Sequence, residues 1–236
     1  MTACLNGARS RAEHPAVPQS PVEMAADAIA VQRAGAWAVH VHPRDRRGAQ
    51  TMNARESDAA VRAIRAAAPR MPIGLSTSEA IQPDPFARAA AVRSWQERPD
   101  FVSVNLSELG WAGIVRAALR AGIAVEAGLA TAADAQALTD SPFVHQVVRV
   151  LVEVDGGAEE ARAIAQLIPD QIAQLWHGYD ERTWEVLAAA AAAGADVRVG
   201  LEDVLVLPDG RRAANNAELV AAAVQHGAPG TQGRPR

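Results

Sequence analysis

Ala36-Trp37-Ala38-Val39-His40-Val41-His42 is an apolar run that ends in two imidazoles one residue apart, with Pro43-Arg44-Asp45 directly after it. In an extended strand, residues i and i+2 face the same side, so both rings reach one metal ion from one direction. A second stretch, Val197-Arg198-Val199-Gly200-Leu201-Glu202-Asp203, repeats the design with two carboxylates at its end. Two imidazoles and a carboxylate with an open position describe a catalytic zinc or iron site, whereas a closed structural site would favour thiolates. Cys4 is the only cysteine, which excludes internal disulfides and Cys-rich zinc modules. A reducing, cytoplasmic setting is therefore expected.

Outward from these two stretches, short β-rich apolar runs alternate with Ala-rich amphipathic windows, the pattern of repeated βα units and a parallel sheet. Strands are expected at 3–6, 37–42, 73–77, 101–106, 124–128, 147–154, 171–177 and 196–202. Helices are expected at 20–34, 54–67, 85–96, 110–121, 132–139, 158–167, 181–193 and 216–225. Eight such pairs predict an α/β fold, a single (β/α)8 TIM barrel over residues 1–227. Ser20-Pro21-Val22-Glu23 has the pattern of an N-cap with proline at N1 and glutamate at N3. The Gly/Pro-rich residues 228–236 read as a disordered tail.

The chain has 236 residues, enough for one full core, and a formal net charge of −4 with acidic and basic residues interspersed. No basic stripe with aromatics points to nucleic acid, and no apolar run is long enough to span a bilayer. All 23 basic residues counted as Lys or Arg are arginine. Without a lysine amine, Schiff-base aldolases, pyridoxal phosphate enzymes and Walker-type phosphate loops are excluded, so carbanion chemistry would need a metal as electron sink.

Active groups in this fold sit at the C-terminal ends of the strands. Those ends read Asn6, His40 with His42, Ser76, Asn105, Glu126, Glu153, His177, and Glu202 with Asp203. Closure of the barrel brings the last strand within two strands of His40 and His42, so Glu202 is the expected third ligand. Strand alternation admits only one of the two carboxylates, and the alternative is Asp203 as ligand with Glu202 behind it. Arg198 either anchors the carboxylate ligand or binds substrate. Glu126 and Glu153 are either acid/base groups or carboxylates locked to Arg198 or Arg149. Ser76, Thr77 and Ser78 suit either a substrate carboxylate or helix capping, and His177 either a substrate contact or a core ring packed near Trp176. Arg44 and Asp45 read as a rim ion pair, while His14, His145 and His226 read as surface or loop residues.

Asn6-Gly7-Ala8, the block His40 to Asp45 followed by Gly48, and the block Arg198 to Asp203 with the later Asn216-Ala217-Glu218-Leu219-Val220 together resemble the β-keto acid cleavage enzyme family. The likeness runs from about Ala3 to Ala223. It implies a zinc-dependent barrel that condenses a β-keto acid with acetyl-CoA, giving acetoacetate and a new acyl-CoA, and a homo-oligomer, either homotetramer or dimer. By motif position it implies His40, His42 and Glu202 as ligands of Zn2+, Asp203, Arg198 and Glu126 as catalytic groups, and Ser76 on the substrate carboxylate. Arg9 stands where a member with an amino substrate has a glutamate for the ammonium, so a neutral or anionic distal end is expected. Ser76-Thr77-Ser78-Glu79 replaces a glycine turn, and Ser107-Glu108 replaces a small residue and a hydroxyl. Asn105 and Glu108 are accordingly expected beside the substrate. Two other functions fit the same residues: a metal-dependent lyase or hydrolase that needs no CoA, and a barrel that binds a small acid without turning it over. Dependence of keto acid consumption on acetyl-CoA separates all three.

Overall fold

Eight strands and eight helices alternate along the chain, and the strands pair in sequence order into a closed parallel barrel. They are β1 (Thr2–Cys4), α1 (Pro21–Ala34), β2 (Ala38–Val41), α2 (Ala54–Ala67), β3 (Ile73–Ser76), α3 (Pro85–Ser94), β4 (Phe101–Asn105) and α4 (Trp111–Arg120). The second half runs β5 (Ala124–Leu129), α5 (Ala132–Thr139), β6 (Arg149–Val154), α6 (Ala158–Ala165), β7 (Gln174–Gly178), α7 (Thr183–Ala192), β8 (Asp196–Val199) and α8 (Asn216–Gln225). A single 3-10 turn, Asp180–Arg182, precedes α7. This computed structural model describes residues 1–228, and the expected tail lies outside the described residues apart from Ala228, which is buried. No helix among them is long and apolar enough to cross a membrane.

The strands alternate because the two faces of the sheet bury different things. Val39, Val41, Val102, Val104, Val150, Val152, Val197 and Val199 belong to one apolar cluster under the helices. Their in-between neighbours His40, Ser103, Glu126, Arg149, Glu153, His177 and Arg198 face the barrel axis, where they meet one another. Helix ends follow the expected chemistry: Ser20 and Glu23 close a capping box on α1, and Gly35 caps its other end at φ 121°.

Of the two roles expected of Glu126, the structure shows the ion pair with Arg149. β5 runs on to Leu129, so Glu126 is its third residue and sits towards the barrel floor, in register with Arg149 at the start of β6. Both are buried and ion-paired, and Arg149 also donates to Thr2 Oγ1 at 3.1 Å from across the interior. The guanidinium stacks between Trp37 and Phe101, 4.9 and 5.1 Å from their ring centres. This group plugs the end of the barrel away from the C-terminal ends of the strands. Arg149→Met, which strands Glu126 in the interior, is expected to lower the unfolding free energy by about 3–5 kcal/mol. Urea unfolding at neutral pH measures this, and adding Glu126→Leu is expected to restore most of the loss.

Candidate metal centre and active site

Pairing of β1 with both β2 and β8 draws residues 40–42 and 202–203 to one mouth. His40 ends nothing but sits inside β2, and His42 lies one residue past it, still extended, so both rings point inward with their Nε2 atoms 3.1 Å apart. Asn6, two residues beyond β1, clamps the His42 peptide: its side-chain oxygen accepts the His42 N–H and its amide donates to the His42 carbonyl, each at 2.9 Å. Nδ1 of His42 faces the side-chain oxygen of Gln50, which assigns the hydrogen to Nδ1 and leaves the Nε2 lone pair aimed into the barrel. Burial drives the pKa of His40 down to about 3, so this ring is neutral near pH 7.

β8 stops at Val199, and the chain then tightens into a turn in which the Asp203 and Val204 N–H groups donate to the Gly200 carbonyl at 2.9 and 3.0 Å. Leaving the strand cancels the two-residue alternation, so Glu202 and Asp203 both enter the interior, where sequence reasoning allowed only one. Glu202 Oε1 lies 3.5 Å from His42 Nε2 and 4.0 Å from His40 Nε2. Two glycines make room for it. A Cβ on Gly7, at φ 49°, would stand 2.3 Å from Glu202 Cγ, and one on Gly200 would stand 1.9 Å from the Cys4 carbonyl oxygen.

Arg198, one residue inside the end of β8, joins the two carboxylates. Its Nη2 donates to Glu202 Oε1 at 2.8 Å and to Asp203 Oδ1 at 2.6 Å. Burial pushes the Glu202 carboxyl up, but Arg198 and the two imidazoles outweigh it and hold the group well below the usual carboxylate range. For Asp203 burial wins over the same guanidinium, and its pKa is raised. Asp203 Oδ2 and Glu202 Oε2 are buried without a hydrogen-bond partner.

One ligand atom from each of His40, His42 and Glu202 lies within 4.8 Å of the others. Tetrahedral coordination with bonds of about 2.1 Å separates ligand atoms by about 3.4 Å, so this donor set fits a divalent transition ion. Opposite Arg198, His177 of β7 lies between two carboxylates, with Nδ1 3.6 Å from Asp203 and Nε2 3.4 Å from Glu153. Tyr179 donates to Glu153 at 3.1 Å and stands edge-on to the His177 ring. His177 therefore belongs to the polar interior, while the Trp176 indole points the other way and donates to Gln174. On the near side, continuation of the Val41–Leu75 register sets Ser76 beside His42, with Ser103 next to Ser76 on β4. Gly128 keeps space for Asn105 and Glu153, whose side-chain oxygens would lie 2.5 and 2.9 Å from a Cβ there.

The rim departs from expectation more. Arg9 pairs with Asp180 at 2.6 Å and with Glu13 at 3.2 Å. Asp180 is the one non-glycine residue with positive φ among those described, at 44°. Glu108 is held by buried Arg88, the Asn105 amide and the Glu79 N–H, so its carboxylate is engaged in tying the turns after β3 and β4. Arg44 does not pair with Asp45; it donates to the carbonyls of Gly7, Arg9 and Gly48, while Asp45 accepts the Arg47 and Ala49 N–H groups. His14 is in a loop, as expected, but buried against the Ala213 carbonyl. Gln50 and Ser103 escaped sequence reasoning: Gln50 lies in a loop, and nothing marks a lone serine on an inner face. A surface cleft of about 660 Å³ beside Gln166, Gln174 and Asp196 is lined by none of His40, His42, His177, Arg198, Glu202 and Asp203.

A family model described as beta-keto acid cleavage enzyme matches residues 1–137 and 128–229 of this chain. The 3-keto-5-aminohexanoate cleavage enzyme of Fusobacterium nucleatum is 24% identical, with 95% of this chain and 89% of that protein covered. Among solved structures, ObcA bound to oxaloacetate aligns with a TM-score of 0.71 at 18% identity, and ObcA with a C4-CoA adduct and oxalate with 0.70. Those alignments cover 89% of this chain and 63% of ObcA, so the chain spans less than two thirds of that relative's length. A 3-hexulose-6-phosphate synthase from Salmonella typhimurium aligns at 0.54 with 14% identity, covering 95% of this chain and 98% of that one.

Two outcomes follow from this geometry. Gln50→Ala, which frees the His42 ring, is expected to weaken divalent metal binding about 10–100-fold in a chelator competition, with an unchanged circular dichroism spectrum. Asp27 of α1 donates nothing but accepts from Asn216, the residue that also bonds the Leu201 N–H and the Leu5 carbonyl behind the turn. Burial raises its pKa from 3.8 to about 6 against the pull of Asn216, so the fold favours the protonated form. Its destabilising effect is absent below pH 3.8, grows as pH rises and is complete above pH 6. Asp27→Asn is thus expected to raise Tm at pH 8, with the difference fading by about pH 4 in thermal melts.

Proposed function

Because the chain belongs to the beta-keto acid cleavage enzyme family, we propose that it transfers an acyl group between a small β-keto acid and acetyl-CoA, yielding acetoacetate and a new acyl-CoA. The observation that carries this reading is the set of three converging donors beside the free Oδ2 of Asp203. The names of the relatives agree with it, since oxaloacetate is a β-keto acid and ObcA is also recorded with a CoA adduct. His40, His42 and Glu202 would hold the metal, zinc in our reading, and when bound it supplies Lewis acidity to the keto and carboxylate oxygens.

The other groups divide the work. Asp203 takes the proton from the carbon between the two carbonyl groups onto Oδ2, and burial makes it a stronger base than an ordinary aspartate. The carbanion attacks the thioester carbonyl and expels the CoA thiolate. That thiolate then adds to the original keto carbon, the carbon–carbon bond breaks, and Asp203 returns its proton to the departing acetoacetate. Arg198 is a positioning residue that sets both carboxylates, and Ser76 donates to the substrate carboxylate from beside His42. The charge of Arg9 is balanced by Asp180 and Glu13, so a neutral distal end needs no rearrangement and an anionic one would draw Arg9 off Asp180. Glu126 has no part in this scheme. Cytoplasmic location and assembly into a dimer or tetramer complete the proposal.

Purified protein given a panel of β-keto acids is expected to consume keto acid and acetyl-CoA together and to form equimolar acetoacetate. Keto acid loss without acetyl-CoA would instead assign a CoA-independent lyase. Asp203→Asn is expected to lower kcat about 10²–10⁴-fold while metal content is retained.

A further inference from the structure

The loop that carries His42 continues into Arg44, Asp45, Arg46 and Arg47, and it borders a cleft of about 610 Å³ between the N-terminal ends of α1 and α2. Four arginines line it, Arg44, Arg46, Arg47 and Arg55, in a chain whose formal net charge is −4, and of these Arg44 spends its terminal nitrogens on the carbonyls of Gly7, Arg9 and Gly48. Two carboxylates also border it. Asp45 is turned onto its own loop, where Oδ1 accepts two backbone N–H groups, and Glu56 stands 4.0 Å from Arg55. Arg46 and Arg47 are exposed and pair with no carboxylate among the described residues. Two further donors on the same cleft, Gln19 Nε2 and Arg44 Nε, are buried without a partner.

Buried donors are normally satisfied, and four cations held together repel unless an anion offsets them. One carboxylate would need one arginine; Arg46 and Arg47, with their donors unspent and Arg55 beside them, suit phosphates, which guanidinium forks grip at two oxygens. Location narrows the ligand. Arg47 follows His42 by five residues, so the cleft lies within about 18 Å of the metal ligands, inside the span of an extended pantetheine arm. We propose that this cleft holds the phosphorylated end of acyl-CoA, its diphosphate and 3′-phosphate, while the thioester reaches the metal centre. The inference rests on the reading of acyl-CoA as a substrate.

The test compares the wild-type protein with the Arg46→Ala/Arg47→Ala variant, both exposed positions outside the catalytic groups. Calorimetric titration uses CoA, adenosine 3′,5′-bisphosphate and inorganic phosphate; kinetics use acetyl-CoA and S-acetylpantetheine. The variant is expected to bind CoA and the bisphosphate about tenfold more weakly and to show an equal rise in KM for acetyl-CoA. Its kcat, and its KM for the phosphate-free thioester, should not change. CoA and bisphosphate affinities within about twofold of wild type would overturn the site, as would inorganic phosphate that fills the cleft without competing with CoA. If the wild type binds CoA, the variant loses it, and no keto acid is turned over, the cleft stands and the proposed reaction falls.

Discussion

The guanidinium of Arg198 is the interaction on which the catalytic mouth depends. Adjacent residues Glu202 and Asp203 bring two carboxylates into the barrel interior, and buried like charges at that separation cannot both persist without a cation between them. Arg198 supplies it from four and five residues upstream, close enough that the turn after β8 must fold tightly back over its own strand. That turn is possible because Gly200 lies against the Cys4 carbonyl with no space for a Cβ, and because Asn216 bonds the Leu201 N–H at 2.7 Å. The first strand, the last strand and the last helix therefore share one set of constraints.

The two ends of the barrel use charge differently. At the floor, Arg149 and Glu126 are fully matched by each other, by Thr2 and by two aromatic faces, so nothing there is free to act. At the mouth, matching is incomplete by a definite amount: Asp203 keeps one oxygen unpaired, Glu202 keeps another, and the two imidazoles turn their Nε2 atoms toward the same point. Incomplete pairing costs stability, and at the mouth a metal and a substrate would complete it. Beyond His40, His42 and Glu202, the wall from Asp203 through His177 and Glu153 to Tyr179 keeps the far side of the cavity polar.

Several of these features could be read from the chain because they depend on local periodicity. The alternation Val39-His40-Val41-His42 determines that both rings share a face, whatever the rest of the fold does. The motif Ser20-Pro21-Val22-Glu23 encodes its own helix start. Glu126 could be read two ways because an inward carboxylate on a strand suits either acid/base work or an ion pair, and only the register of β5 against β6 puts it on Arg149. Glu108 misled because its partner, Arg88, lies 20 positions upstream on another element, and no local pattern announces such a pair. Gln50 was silent for the same reason: its contact with His42 exists only because residues 44 and 50 bridge across the loop.

The sequence by itself determined the βα alternation, the eight-stranded barrel, the histidine pair and the exclusion of lysine chemistry, since each is a property of residue type at fixed spacing. Only the tertiary structure decided that Glu202 and Asp203 both enter the site, that Glu126 leaves it, and that His177 faces the axis between two carboxylates. Those outcomes depend on where a strand ends and on which charges meet across the barrel axis. Both are set by closure of the sheet, a long-range event that brings His42 and Glu202, 160 positions apart, to 3.5 Å from each other.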